Sequence, residues 1–228
     1  LLSVIGGLQL SQLSQRQLRA CWICGLFYAA HFGSWVSSLH YTTIAASVTL
    51  VTTTPILLLT LSLFKGEKRR SSEYIACGVA IIGVALITGS DWQLSSSALF
   101  GDALALLGAI AMAGYFLTVK PLGKLPLRPF MCLTALTAGT LLMIATLLSD
   151  PGALHKVEPS DWLWVAALAV VPHLVGHGLL TYCLRSSTPS EVALATVGEP
   201  AGSALLAYLI FSEAISLLAG MGCLITLA

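Results

Sequence analysis

The chain alternates long apolar runs with short polar breaks. Complete runs fall at about 20–39, 43–64, 73–89, 99–119, 129–148, 161–184 and 190–212. Each is close to the roughly 20 residues that cross a bilayer as a helix. Partial runs at 1–10 and from Ala214 read as truncated spans. Almost every run is apolar on all faces, which excludes the one-sided stripe of a helix packed on a soluble core. The connections are short, so the spans belong to one bundle rather than to separate soluble domains. The pattern predicts an all-α membrane protein.

Composition supports that class. Only 9% of the 228 residues are charged, against roughly a quarter in a soluble domain. The formal net charge of +1 points to no charged partner, and no basic stripe or RNA-binding signature suggests nucleic acid. The placement of the cations says more. One set of alternate loops carries Arg16, Arg19, Lys65, Lys68, Arg69, Arg70, Lys120, Lys124, Arg128 and Arg185; the other carries Lys156 alone. The positive-inside rule puts the first set in the cytoplasm. Trp92, Trp162 and Trp164 then fall in an outer aromatic belt, with Trp22 and Tyr74 near the inner face. The six cysteines lie in or at the ends of apolar runs, and Cys21-Trp22-Ile23-Cys24 has redox spacing without a βαβ setting. They read as buried, inert thiols.

Of the prolines that fall in the apolar runs, two stand out. Pro55 follows Thr49, Thr52, Thr53 and Thr54, and Pro200 follows Glu199. Proline removes a backbone donor and clashes with the preceding turn, so each run should break there. In a bilayer the freed carbonyls need a partner, which the threonine hydroxyls can supply. An acid in the middle of a span is costly in lipid and is by default a functional candidate. Glu199 is therefore either a ligand or proton-carrying group, or a cap on backbone loosened by Pro200.

The two breaks belong to an internal repeat. Residues 39–55 align without gaps on 184–200, Gly33 on Gly178, and, with short gaps, Phe64 and Glu67 on Phe211 and Glu213. Five spans separate the copies, and an odd number inverts the second. Inverted repeats with interrupted helices meeting near the midplane are a recurrent transporter plan.

At this point the residues resemble a family. Leu39-His40-Tyr41-Thr42, Thr54-Pro55, Gly66-Glu67, Gly101-Asp102, Gly176-His177, Gly198-Glu199-Pro200 and Phe211-Ser212-Glu213 occur in an order and spacing similar to the EamA-type branch of the drug/metabolite transporter superfamily. The resemblance covers essentially the whole chain. It implies ten spans as two inverted five-helix repeats, with both termini of the full-length protein cytoplasmic. Residues 1–90 would then be the remainder of the first repeat, spans 2–5, and residues 91–228 the second, spans 6–10. The first span, part of the second and the end of the tenth are expected to be missing. The implied activity is export of small polar metabolites, such as amino acids, across the cytoplasmic (inner) membrane of a bacterium. The chain departs from internal symmetry where Thr54-Pro55 faces Glu199-Pro200, and His173 stands where an amide is more usual in relatives.

The expected cavity residues are His31, Trp35, Thr54, His173, His177 and Glu199, with Pro55 and Pro200 as helix breaks that gate. His31 and Trp35 are four apart and share a helix face, as do His173 and His177. Imidazoles can line a polar cavity and change charge near neutral pH, or they can simply bond a neighbouring helix. A histidine pair at this spacing can ligate zinc, but no third ligand or His-Glu-x-x-His accompanies it. No metal and no cofactor are expected. The reading is a secondary transporter working by alternating access on a small-molecule substrate, with protons as a candidate coupling ion. The alternative is an intramembrane metal-dependent enzyme using His173, His177 and Glu199. Gly78, Gly83, Gly89, Gly108 and Gly114 are expected at close helix contacts, and Asp102 as a helix N-cap or first-turn acid.

Overall fold

A computed structural model of the chain describes residues 12–42, 44–67, 70–88, 95–212 and 217–227. The runs at 1–10, Lys68, Arg69, Gly89, Trp92 and Glu213 lie outside the described residues. The described residues are helical, with no strand among them. In chain order the helices are α1 (Gln15–Ser38), α2 (Ile44–Val51), α3 (Thr54–Phe64), α4 (Ser71–Thr88), α5 (Ser96–Val119), α6 (Leu127–Ser149), α7 (Asp161–Leu168), α8 (Gly178–Cys183), α9 (Pro189–Thr196), α10 (Glu199–Phe211) and α11 (Leu217–Leu227). A π-helical segment, Ala169–His177, joins α7 to α8. Among the described residues, four segments are long and apolar enough to cross a membrane: Ala46–Phe64, Ser96–Leu122, Leu127–Ser149 and Asp161–Cys183. This is a helical membrane bundle, and large apolar side chains such as Phe64, Leu148 and Leu163 lie exposed along it.

The two proline runs break as their chemistry requires, and at the same register. The first is helical over Ile44–Val51, turns at Thr52 and Thr53, and resumes at Thr54–Phe64. The second is helical over Pro189–Thr196, turns at Val197 and Gly198, and resumes at Glu199–Phe211. The threonines do what the missing donor demands. Thr54 Oγ1 donates to Val51 O at 3.3 Å, the carbonyl that Pro55 has no N–H to reach. Thr52 Oγ1 donates to Val48 O and Thr49 O, and Thr53 Oγ1 to Leu50 O. The second run starts with a capping box. Thr188 Oγ1 accepts from Glu191 N at 3.3 Å, and Thr188 N donates to Glu191 Oε2 at 2.8 Å.

The chain divides into two compact units. One takes the chain up to Ala30 together with Gly114–Ser187; the other takes His31–Ala113 and everything from Thr188. In the first unit the core is Tyr28, Tyr115, Phe116, Phe130 and Leu184, all fully buried, with Cys21 and Cys24 beside them. Gly114 makes room there for the Phe27 ring, which a Cβ would meet at 2.4 Å. In the second unit α4 lies along α11, and α9 packs on α3, so the first half of one broken run touches the second half of the other.

Three expectations need correction. Asp102 caps nothing, because α5 begins at Ser96 and Asp102 sits in its second turn; its carboxylate instead accepts from Thr42 Oγ1 at 2.8 Å. Gly78 faces open space, with no atom within 4 Å of where a Cβ would stand, although Gly108 and Gly114 do sit at close contacts. Cys183 is exposed and Cys132 half-buried, whereas Cys21, Cys24 and Cys77 are buried as expected.

Candidate functional site

Four of the six expected cavity residues belong to the second unit: His31, Trp35, Thr54 and Glu199. The first three are organised by α5. His31 Nδ1 donates to Gly108 O at 2.9 Å, and Thr54 Oγ1 donates to Ala109 O at 3.3 Å. Adjacent carbonyls on one helix thus anchor α1 and the start of α3. Gly108 allows this approach: a Cβ there would meet Ser34 Oγ at 3.3 Å and Trp35 Cβ at 3.4 Å. The bond fixes the His31 tautomer, with the hydrogen on Nδ1. Trp35 lies stacked on His31 at 6.0 Å, as the four-residue spacing anticipates. The Trp35 indole N–H is buried with no hydrogen-bond partner among the described residues.

Glu199 is the first residue of α10. Its side chain is exposed, and its carboxylate bonds no described residue, so the capping role open to it is not used. Pro55 and Pro200 are both buried. A small cavity of about 30 Å³ touches both breaks: Thr52, Thr53 and Pro55 line it from the first and Val197 from the second, with Cys77 and Ile81 of α4 beside them.

The other two expected residues, His173 and His177, belong to the first unit. They stand on the π-helical segment, which contains Pro172. Their rings lie 5.8 Å apart, and both meet Tyr28 edge-on, at 5.5 and 5.4 Å. Tyr28 in turn stacks on Tyr115 at 4.3 Å. The Tyr115 hydroxyl shares a 2.6 Å hydrogen bond with Thr181 Oγ1, and Thr181 also donates to His177 O. The histidines are therefore packed into an aromatic and hydroxyl cluster. Among the described residues no third His, Cys, Asp or Glu joins them in a metal-binding group. Sequence reasoning missed Tyr28, Tyr115 and Thr181, because an aromatic inside a wholly apolar run carries no periodic signal. It also missed the π segment, although Pro172 marked it.

The EamA-like transporter family profile matches residues 1–89 and 99–228. The chain belongs to the EamA-like transporter family. It is an integral, multi-pass membrane protein. An uncharacterized transporter of Archaeoglobus fulgidus is 24% identical to this EamA-like protein over 186 residues, 81% of this chain and 64% of the relative. The chain thus spans a little under two thirds of that relative's length. A solved crystal structure matches its fold with a TM-score of 0.73 at 16% identity, covering 99% of this chain and 88% of that one.

Proposed function

We propose that this EamA-like protein is a secondary transporter that exports small polar metabolites, such as amino acids, by alternating access. The observation that carries this reading is the pair of broken helices. Each has eight residues, a two-residue turn and a second helix opening one residue before proline, at positions 145 residues apart. Interrupted helices of this kind expose backbone and side-chain groups at mid-membrane without exposing them to lipid. Ten spans in two inverted repeats would place the breaks head to head. His31, Trp35, Thr54 and Glu199 of the second unit contact substrate in this scheme, and Pro55 and Pro200 supply the flexible points.

Glu199 is the residue on which the scheme turns. It is a carboxyl group near mid-span that no described neighbour neutralises. It can hold a proton in one half of the cycle and the cationic group of a substrate in the other. The test begins with an untargeted comparison of metabolites retained by cells with and without the protein, which identifies the substrate. Glu199→Gln is then assayed in proteoliposomes. It should keep expression and folding, abolish the pH dependence of transport, and reduce net flux more than exchange. An unchanged rate and pH profile would return Glu199 to a structural role.

A further inference from the structure

The helix α5 is held at both ends, and by the same part of each repeat. At its start, Asp102 Oδ1 accepts from Thr42 Oγ1 at 2.8 Å, in the loop that leads into the first broken helix. Gly101 brings that loop close, since a Cβ there would meet Thr42 N at 2.8 Å, and Tyr41 stands edge-on to Phe100 at 5.0 Å. Just past its end, Lys120 Nζ donates to Leu184 O at 3.1 Å and Ser187 O at 2.8 Å, in the loop that leads into the second broken helix. The repeat alignment that places Pro55 on Pro200 also places Thr42 on Ser187. The two contacts are therefore made by equivalent positions. Asp102 and Lys120 are eighteen residues apart, and a helix rises about 27 Å over that distance, nearly a bilayer core. The segment Ser96–Leu122 is itself long and apolar enough to span.

We propose that α5 is a strut with one clasp at each membrane face, and that Asp102 and Lys120 are positioning residues that hold the two broken helices alternately. This rests on the alternating-access reading. With both clasps closed, as in this structure, the loops at both faces are held. Releasing the Lys120 clasp frees the entry to Pro189–Thr196 at one face, and releasing the Asp102 clasp frees the entry to Ile44–Val51 at the other. A ligand or variant that opens one face draws population away from the state open at the other, because the states share one equilibrium. The Lys120 contacts are charge-assisted and end on carbonyls at the close of a helix, where a cation is favoured. A plain C-terminal cap would show the same bonds but would act only at its own end.

Hydrogen exchange of the protein in lipid nanodiscs separates the two roles. Lys120→Met should raise exchange in 184–188 by on the order of tenfold, as loss of a charge-assisted bond implies, and should lower exchange in 39–42. Asp102→Ala and Thr42→Val, which remove opposite partners of one bond, should each do the reverse. Lys120→Arg should stay close to the parent, and exchange across Leu127–Ser149 should be unchanged in every variant that is folded. Loosening confined to the altered end, loosening of both ends together, or no change at either would each overturn the strut. Exchange is read without substrate, so a failure of Glu199→Gln to alter transport leaves this test intact. Transport that persists without reciprocal exchange removes the strut alone.

Discussion

At the scale of single residues, polar groups in an apolar chain can be traced by what they must bond. Thr54 is the clearest case, because its hydroxyl serves both Val51 O and Ala109 O. Thr54→Val should keep the shape, remove both bonds and lower stability by about 1 kcal/mol, the scale of side-chain bonds in membranes. Thr54→Ser should restore most of it; thermal unfolding in detergent reads the difference. His31 was legible as an interior histidine, and its stacking with Trp35 followed from their spacing. Its partner was not, because a backbone carbonyl on α5 leaves no mark in sequence. Asp102 was misread for a related reason. The polar boundary before Leu99 hid the true helix start at Ser96, so an acid in the second turn looked like a cap.

At the scale of helices, proline and threonine made the two breaks readable in advance. Pro200→Ala should stiffen the second run and slow exchange and net flux alike, unlike the unequal loss expected of Glu199→Gln. Parallel proteoliposome assays of the two variants distinguish them. Thr188 belongs to the entry of the same run. Thr188→Ala removes one half of the capping box and should cost roughly 0.5–2 kcal/mol of stability, visible as a lower unfolding midpoint with the substrate affinity unchanged. The π segment was the unread element. Pro172 lies within the 161–184 run, but a spacing of four suits a π turn and an α turn nearly equally, so His173 and His177 gave no warning. The Tyr28–Tyr115 stack was hidden as well, since buried aromatics and lipid-facing aromatics look alike in an apolar run.

At the scale of the whole molecule, the fold class and the family were legible because membranes impose length, polarity and charge bias together. Charge bias predicts that a cysteine substituted at Lys124 is labelled only from the cytoplasm and one at Ser95 from outside, which impermeant labelling of intact cells can read. The central claim is narrower: the two broken helices are inverted copies, entered from opposite faces. Tyr41 and Ser186 are equivalent positions in the repeat, both exposed, each just ahead of a broken helix. The direct measurement is labelling of Tyr41→Cys and Ser186→Cys by a membrane-impermeant thiol reagent in intact cells, with the exposed Cys183 replaced by serine. Labelling of the first without lysis and of the second only after lysis is the expected result. Labelling of both from the same side would contradict the inverted repeat, and with it the alternating-access account.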